Sequence, residues 1–205
     1  MVFLALLARF HILGASLPFR ILKIAIVGAG AAGMMAMATL VESGISGENV
    51  LLFDGNERMG CKVAITGGGR CNVTTAIIRK KDLLPKYIRG AEFLEASLGL
   101  FSPKKCREWF ESYKVPLKEE DNFRLFPVSD DGWDIVALFE KIAREAGVET
   151  HFRERVTSIE KSANGFQIST SKGTYEVDIC LLTTGGNAYA KTGSNGDGYA
   201  FARAL

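Results

Sequence analysis

Histidine and proline are scarce, and cysteine never occurs at metal-binding spacing. The 205 residues hold two histidines, His11 and His151, five prolines, and four cysteines at positions 61, 71, 106 and 180. No two cysteines are separated by only two residues, so neither a zinc site nor a disulfide framework is supported. Reduced thiols in a cytoplasmic protein are the expectation. An excess of charge of one sign is also missing, since 25 Lys and Arg against 23 Asp and Glu leave a formal net charge of +2. That balance provides no field for holding nucleic acid, and the basic run Arg79-Lys80-Lys81 reads as a solvated edge. Hydrophobic residues at 47% and charged residues at 23% are ordinary for a globular chain. Disorder, collagen and coiled coil are thereby excluded.

What is plentiful is glycine, with 22 residues where average usage predicts about 14. Before the first glycine cluster, residues 1–21 form an apolar stretch interrupted by Arg9, Gly14 and Pro18. Arg9, the single charge in residues 1–19, makes the sum for a membrane span marginal, and no positive leading segment precedes the apolar run as in a secretory signal. These residues read as an N-terminal extension, with a targeting or anchoring segment as the alternative, and fold reasoning begins at Leu22.

Leu22–Val27 and Asn49–Asp54 are short, β-branched or leucine-rich runs that read as buried strands, with an Ala/Met-rich helix between them at 31–43. A βαβ unit with a parallel sheet follows. Residues 55–75 read as a long glycine-bearing loop. Ser102-Pro103 opens a helix to about Tyr113. Residues 115–125 read as a hairpin turning at Asp121-Asn122. Ser129 is expected to cap a helix ending at Ala146-Gly147, with Ile135, Leu138, Phe139 and Ile142 on one face. Alternating runs at 156–160, 166–170 and 174–177, separated by Asn164-Gly165 and Lys172-Gly173, predict an antiparallel meander. Ile179–Thr183 is another buried strand, and Tyr199–Leu205 begins a helix after a loop at 194–198.

Three glycine clusters carry the chemistry. Gly28-Ala29-Gly30-Ala31-Ala32-Gly33 sits between the first strand and its helix. In that setting Gly28 permits a tight turn, Gly30 lets a diphosphate reach the backbone, and Gly33 lets helix and strand pack closely. Asp54, 21 positions after Gly33 at the end of the second strand, is placed to accept ribose hydroxyls. The pattern suits NAD or FAD equally. The second cluster, Thr66-Gly67-Gly68-Gly69-Arg70-Cys71-Asn72, permits a backbone nest. Arg70 can fork onto a phosphate or brace a carboxylate, and Cys71 can be an inert buried thiol. The third, Thr184-Gly185-Gly186 with Gly193–Gly198, follows a returning strand, where α/β sheets bind ligands. Asp197 there serves either a cofactor or the cap of the following helix. His151 reads as structural, and no acid–base residue stands out.

Together with Phe126-Pro-Val-Ser129, Thr192-Gly-Ser194 and Gly196-Asp-Gly-Tyr199, these clusters resemble the aminoacetone-oxidase-like FAD-binding flavoproteins. That family is similar in turn to 3-dehydro-bile-acid reductases, and its nucleotide-binding half to glutathione-reductase-type folds. The resemblance covers about Leu22 to Leu205. It implies an α/β Rossmann-like FAD-binding domain over 22–205, with a parallel sheet and an antiparallel meander as crossover. It also implies an NAD(P)/FAD-dependent oxidoreductase acting on a small-molecule substrate, with NAD(P)H as a candidate reductant. Residue by residue, Gly28, Ala29, Gly30, Ala32 and Gly33 would hold the FAD diphosphate and Asp54 the adenosine ribose. Lys62, Thr66 and Gly67 through Asn72 would line the cofactor near its diphosphate and ring. Val156 would meet adenine, and Thr184, Gly185 and Gly186 would complete the site. Three positions depart from the family: Asp54 replaces a more usual glutamate, Thr183 an alanine and Ala190 a proline. Family members continue past Leu205 with a substrate domain and a returning flavin segment. The chain is therefore expected to be an N-terminal part, either of a working enzyme or of a cofactor-binding fragment that pairs with a separately encoded C-terminal half.

Overall fold

The computed structural model describes residues 22–205; the apolar extension read at 1–21 lies outside the described residues. The chain runs β1 (Ile24–Val27), α1 (Ala31–Glu42), β2 (Val50–Phe53), α2 (Cys61–Gly69), β3 (Thr74–Thr75), α3 (Lys80–Leu83), α4 (Ala91–Leu100) and α5 (Pro103–Ser112). It continues through β4 (Leu117–Glu120), β5 (Arg124–Pro127), α6 (Gly132–Ala146), β6 (Glu149–His151), β7 (Val156–Ser162), β8 (Gly165–Thr170), β9 (Thr174–Val177), β10 (Ile179–Leu182) and α7 (Asp197–Ala204).

The central sheet has the order β10-β1-β2-β6, and every neighbouring pair is parallel. All eight residues of β1 and β2 are buried, because side chains alternate between two covered faces. Ile24, Ile26, Val50 and Leu52 face a cluster with Met34 and Met37 of α1, Phe110 of α5 and Phe139 of α6. Ala25, Val27, Leu51 and Phe53 face Val156, Ile159, Ile168 and Val177 of the antiparallel β7-β8-β9 meander. Helices thus cover one face and the meander the other, as expected of a meander crossover. A fully buried Val, Leu, Ile or Phe contributes about 1.5–3 kcal/mol, so these strands anchor the domain. A smaller sheet, β3-β5-β4, adjoins it.

Element edges follow local chemistry. Ser102 caps α5 by accepting from the Lys105 N–H, and Gly147 ends α6 at a left-handed φ of 73°. The cap of α6 is Asp131, whose side chain accepts from Trp133 N–H over 2.8 Å; Ser129 instead receives the Asp131 N–H. Helix α7 starts at Asp197, two residues before the expected Tyr199. Two further expectations are corrected. Residues 55–75 are not all loop, because Cys61 begins α2, which kinks at Thr66 (ψ 156°) as the glycines take over. Strand β6 escaped notice because it is a three-residue polar edge with no apolar run. Among the described residues, no helix is long and apolar enough to cross a membrane.

Candidate functional site

At the C-terminal ends of β1, β2 and β10, the fold leaves a cavity of about 820 Å³. Its position follows from the parallel sheet, whose strand ends release their loops on one side. Gly28 donates its N–H to Phe53 O over 2.8 Å, and Thr183 N–H to Val27 O over 2.9 Å, which draws three loops together.

The three glycines of the first turn divide the work. A Cβ on Gly28 would lie 2.6 Å from the Thr183 carbonyl oxygen, and φ there is 105°. A Cβ on Gly33 would overlap the Gly28 carbonyl oxygen and sit 2.9 Å from Thr183 Oγ1. At Gly30 a Cβ would meet nothing within 4 Å, and this residue lines the cavity. Gly30 is also the N-cap of α1, with no side chain capping the helix. The first-turn N–H groups of α1 therefore remain available beside the cavity, at the positive end of the helix dipole.

Asp54 completes this turn. Its Oδ2 accepts from Ala29 N–H over 2.8 Å, and its Oδ1 accepts from the Asn56 backbone N–H and from Asn56 Nδ2 over 2.8 and 2.9 Å. The carboxylate lines the cavity but is engaged chiefly in holding the Gly-rich turn. Asn56 Nδ2 reaches on to Thr192 O, and Lys62 Nζ donates to Ala188 O over 2.6 Å. Arg155 pairs with Asp197 over 2.8 Å. These three ties hold the segment after β10 against the mouth. Asp197 therefore contributes an ion pair rather than a side-chain cap.

The triple glycine forms a left-handed reversal: φ is 58°, 74° and 89° at Gly67, Gly68 and Gly69, and 59° at Cys71. The Cys71 N–H closes it on Thr66 O over 2.9 Å. A Cβ on Gly67 would lie 2.7 Å from the Phe126 ring, so packing as well as dihedral angle demands glycine. Arg70 donates to Glu120 and Asp130 and stacks 4.1 Å from the Phe126 ring centre, so it braces carboxylates. Burial raises the Cys71 thiol pKa, and it pushes Cys106 up to about 11, which leaves both protonated near neutrality.

Of the residues singled out in the sequence, Gly28, Ala29, Gly30, Ala32, Asp54, Lys62, Thr66, Cys71, Asn72, Val156, Thr184 and Gly185 line this cavity. Gly33, Gly67, Gly68, Gly69, Arg70 and Gly186 do not, and form its supporting walls and turns. Sequence reasoning missed Asn56 and Arg155. The first is two residues past Asp54, a spacing suited to an Asx turn, and the second immediately precedes Val156. Met34, Phe110, Ile135 and Phe139 are buried in the core, as the pattern of Phe110, Ile135 and Phe139 predicts, and they also form an apolar lobe of the cavity. His151 stacks on Phe53 at 4.6 Å beside the buried Glu154, directly behind these two lining residues but not itself in the lining. Among the described residues no group of His, Cys, Asp and Glu is arranged to hold a metal.

Comparison with known proteins matches residues 22–205 to the model of the HI0933-like protein Rossmann domain. The 3-dehydro-bile acid delta(4,6)-reductase of Clostridium scindens is 30% identical over 183 residues, covering 89% of this chain and 44% of the relative. The ribosomal RNA dihydrouridine synthase of Escherichia coli K12 is 28% identical over 177 residues, covering 86% and 42%. The chain thus spans less than half the length of these curated relatives. Among solved structures, the open conformation of a flavocytochrome c3 fumarate reductase aligns with a TM-score of 0.56 at 22% identity, covering 83% of this chain and 34% of that one. That likeness shows a shared fold. With the glycine turn, the parallel sheet and the meander in place, the chain belongs to the HI0933-like protein family and carries its Rossmann domain over residues 22–205.

Proposed function

We propose that this domain binds FAD and is the nucleotide-binding part of an oxidoreductase that acts on a small-molecule substrate, with NAD(P)H as reductant. The observation that carries the reading is the contrast within the first turn. Gly28 and Gly33 are required by packing, whereas Gly30 has open space toward the cavity at an uncapped helix start. A diphosphate would occupy that space and accept from the N–H groups of α1. The cavity volume, its apolar lobe and its few convergent polar groups fit a dinucleotide cofactor. When bound, FAD would supply hydride transfer through its ring, and the protein would supply orientation and electrostatics.

In this reading, Gly28, Ala29, Gly30 and Ala32 hold the diphosphate, and Gly33 sets the spacing of helix and strand. Asp54 keeps the turn in shape and offers its remaining acceptor capacity to the ribose. Lys62 brings a cation to the same wall, and Val156 borders the adenine end. Thr66, Cys71, Asn72, Thr184 and Gly185 border the ring end, while Gly67 through Arg70 and Gly186 shape the turns that carry them. The apolar lobe keeps water from the ring. Free thiols and the lack of a membrane-crossing helix among the described residues suit a cytoplasmic setting.

A second reading assigns the chain cofactor binding alone, with a separately encoded C-terminal half supplying the rest. Ile88 and Phe93, 99% and 84% exposed, are apolar surface that such a half would cover, which supports it. Releasing the flavin from purified protein by denaturation and identifying it tests the main reading. FAD released in stoichiometric amount, with bleaching of the bound flavin by NAD(P)H, supports an oxidoreductase. Flavin that NAD(P)H does not bleach supports the second reading, and no flavin after reconstitution rejects both.

A further inference from the structure

We propose that a second cavity of about 470 Å³, separated from the first by Asn72, Val73 and Cys106, binds a flat unsaturated ring system that carries an oxyanion. Its wall bears Tyr87, Phe101 and Phe123, with Asn72, Asn122 and Arg124 beside them. The three aromatic residues are between 39% and 54% exposed although they line a concave surface. Aromatic faces left open in a cavity offer stacking to a planar ligand, beyond the burial of area.

Backbone conformation at the site is costly. Asn122 and Phe123 adopt φ of 60° and 59° in succession. Asparagine tolerates this region, but for a bulky aromatic it is a strained conformation. The strain places the Phe123 ring on the cavity wall instead of in the core, where its neighbours Leu125 and Phe126 are packed.

The polar groups are equally exposed to a ligand. Arg124 Nε donates to Asp121 O over 3.1 Å, and its guanidinium pairs with no carboxylate among the described residues. Arg70, which shares the Phe126 ring with it, is neutralised by Glu120 and Asp130. The side-chain amides of Asn72 and Asn122 make no hydrogen bond to another described residue. A planar oxyanion would satisfy the uncompensated cation, the two amides and the open rings together. Because Asn72, Val73 and Cys106 wall both cavities, such a ligand would lie against the contents of the first. That the ligand is the substrate rests on the flavin reading; that it binds here does not.

The test titrates the full chain with trans-cinnamate by calorimetry, with cinnamyl alcohol and cyclohexanecarboxylate as comparison probes. Saturable binding is expected for cinnamate, with at least about ten-fold weaker binding of the other two. Arg124→Gln should weaken cinnamate about ten-fold and leave cinnamyl alcohol within about two-fold. Phe123→Gly should weaken both aromatic probes while raising the melting temperature, an opposition that a purely structural role would not produce. Equal affinity for cyclohexanecarboxylate, indifference to Arg124→Gln, or no saturable cinnamate binding overturns the proposal. FAD is titrated into the same proteins. Lost cinnamate binding with FAD binding intact rejects this inference alone, and the converse rejects only the flavin reading.

Discussion

Ala29 donates its backbone N–H to Asp54 Oδ2 over 2.8 Å, which joins the Gly-rich turn after β1 to the carboxylate at the end of β2. Because Asn56 supplies two further donors to the same group, the carboxylate is a bracket for the turn as well as a candidate ribose acceptor. Asp54→Ala removes the acceptor for all three donors. It should cost about 1–3 kcal/mol of stability by chemical denaturation. Asp54→Glu restores the charge on a longer arm and should recover part of the loss. A variant Asp54→Ala as stable as the parent would reject the bracket.

Glycine substitutions separate packing from ligand contact within one turn. Gly33→Ala places a methyl group into the Gly28 carbonyl and should destabilise the domain by about 3 kcal/mol or leave it insoluble. Gly30→Ala has open space and ordinary backbone angles (φ −79°), so its melting temperature should stay close to that of the parent. Thermal melts of the two variants side by side decide the matter.

Much of this architecture was legible in the residues, for reasons that local physics explains. Strands β1 and β2 are covered on both faces, so they appear as unbroken apolar runs, whereas β10, expected to be buried, is an apolar edge strand whose residues are only half-buried because it has a neighbour on one side alone. The meander announces itself through Asn164-Gly165 and Lys172-Gly173. Strand β6 stayed hidden because an edge strand held by Leu51, Leu52 and Phe53 needs no apolar pattern of its own. Helix α2 was masked by the glycines that end it. The role of Arg70 depended on Glu120 and Asp130, fifty and sixty residues away, a pairing that no local pattern encodes.

The buried carboxylate Glu154 predicts an acid limb to stability. Burial pushes its pKa up, but hydrogen bonds from Thr170, Tyr175 and His151 outweigh burial and hold the carboxyl below its ordinary value of 4.5. A depressed folded-state pKa means this contribution is fully present above about pH 4.5 and is lost as pH falls through the lower folded value. Glu154→Gln should therefore lower stability near neutrality and flatten its fall in acid. Denaturation midpoints of both proteins across the acid range check the sign, and parallel curves would refute it.

Thiol chemistry gives a further prediction. Burial pushes Cys106 and Cys180 up to about 11 and raises Cys71 as well. These three should react slowly with a disulfide reagent in the folded protein and rapidly once denatured. Cys61, whose pKa is raised by burial and by nearby Asp54, lines the open cavity and should be shielded when FAD is bound. Mass mapping of labelled cysteines with and without FAD measures both effects.

The central claim is that bare backbone at Gly30 receives the cofactor's diphosphate. Titrating FAD into the parent chain and into Gly30→Val, with melting curves recorded for both, tests it most directly. The expected result is saturable binding of one FAD per parent chain and a loss of at least about a hundred-fold in the variant, with folding retained. A folded Gly30→Val protein that binds FAD as tightly as its parent would contradict the account.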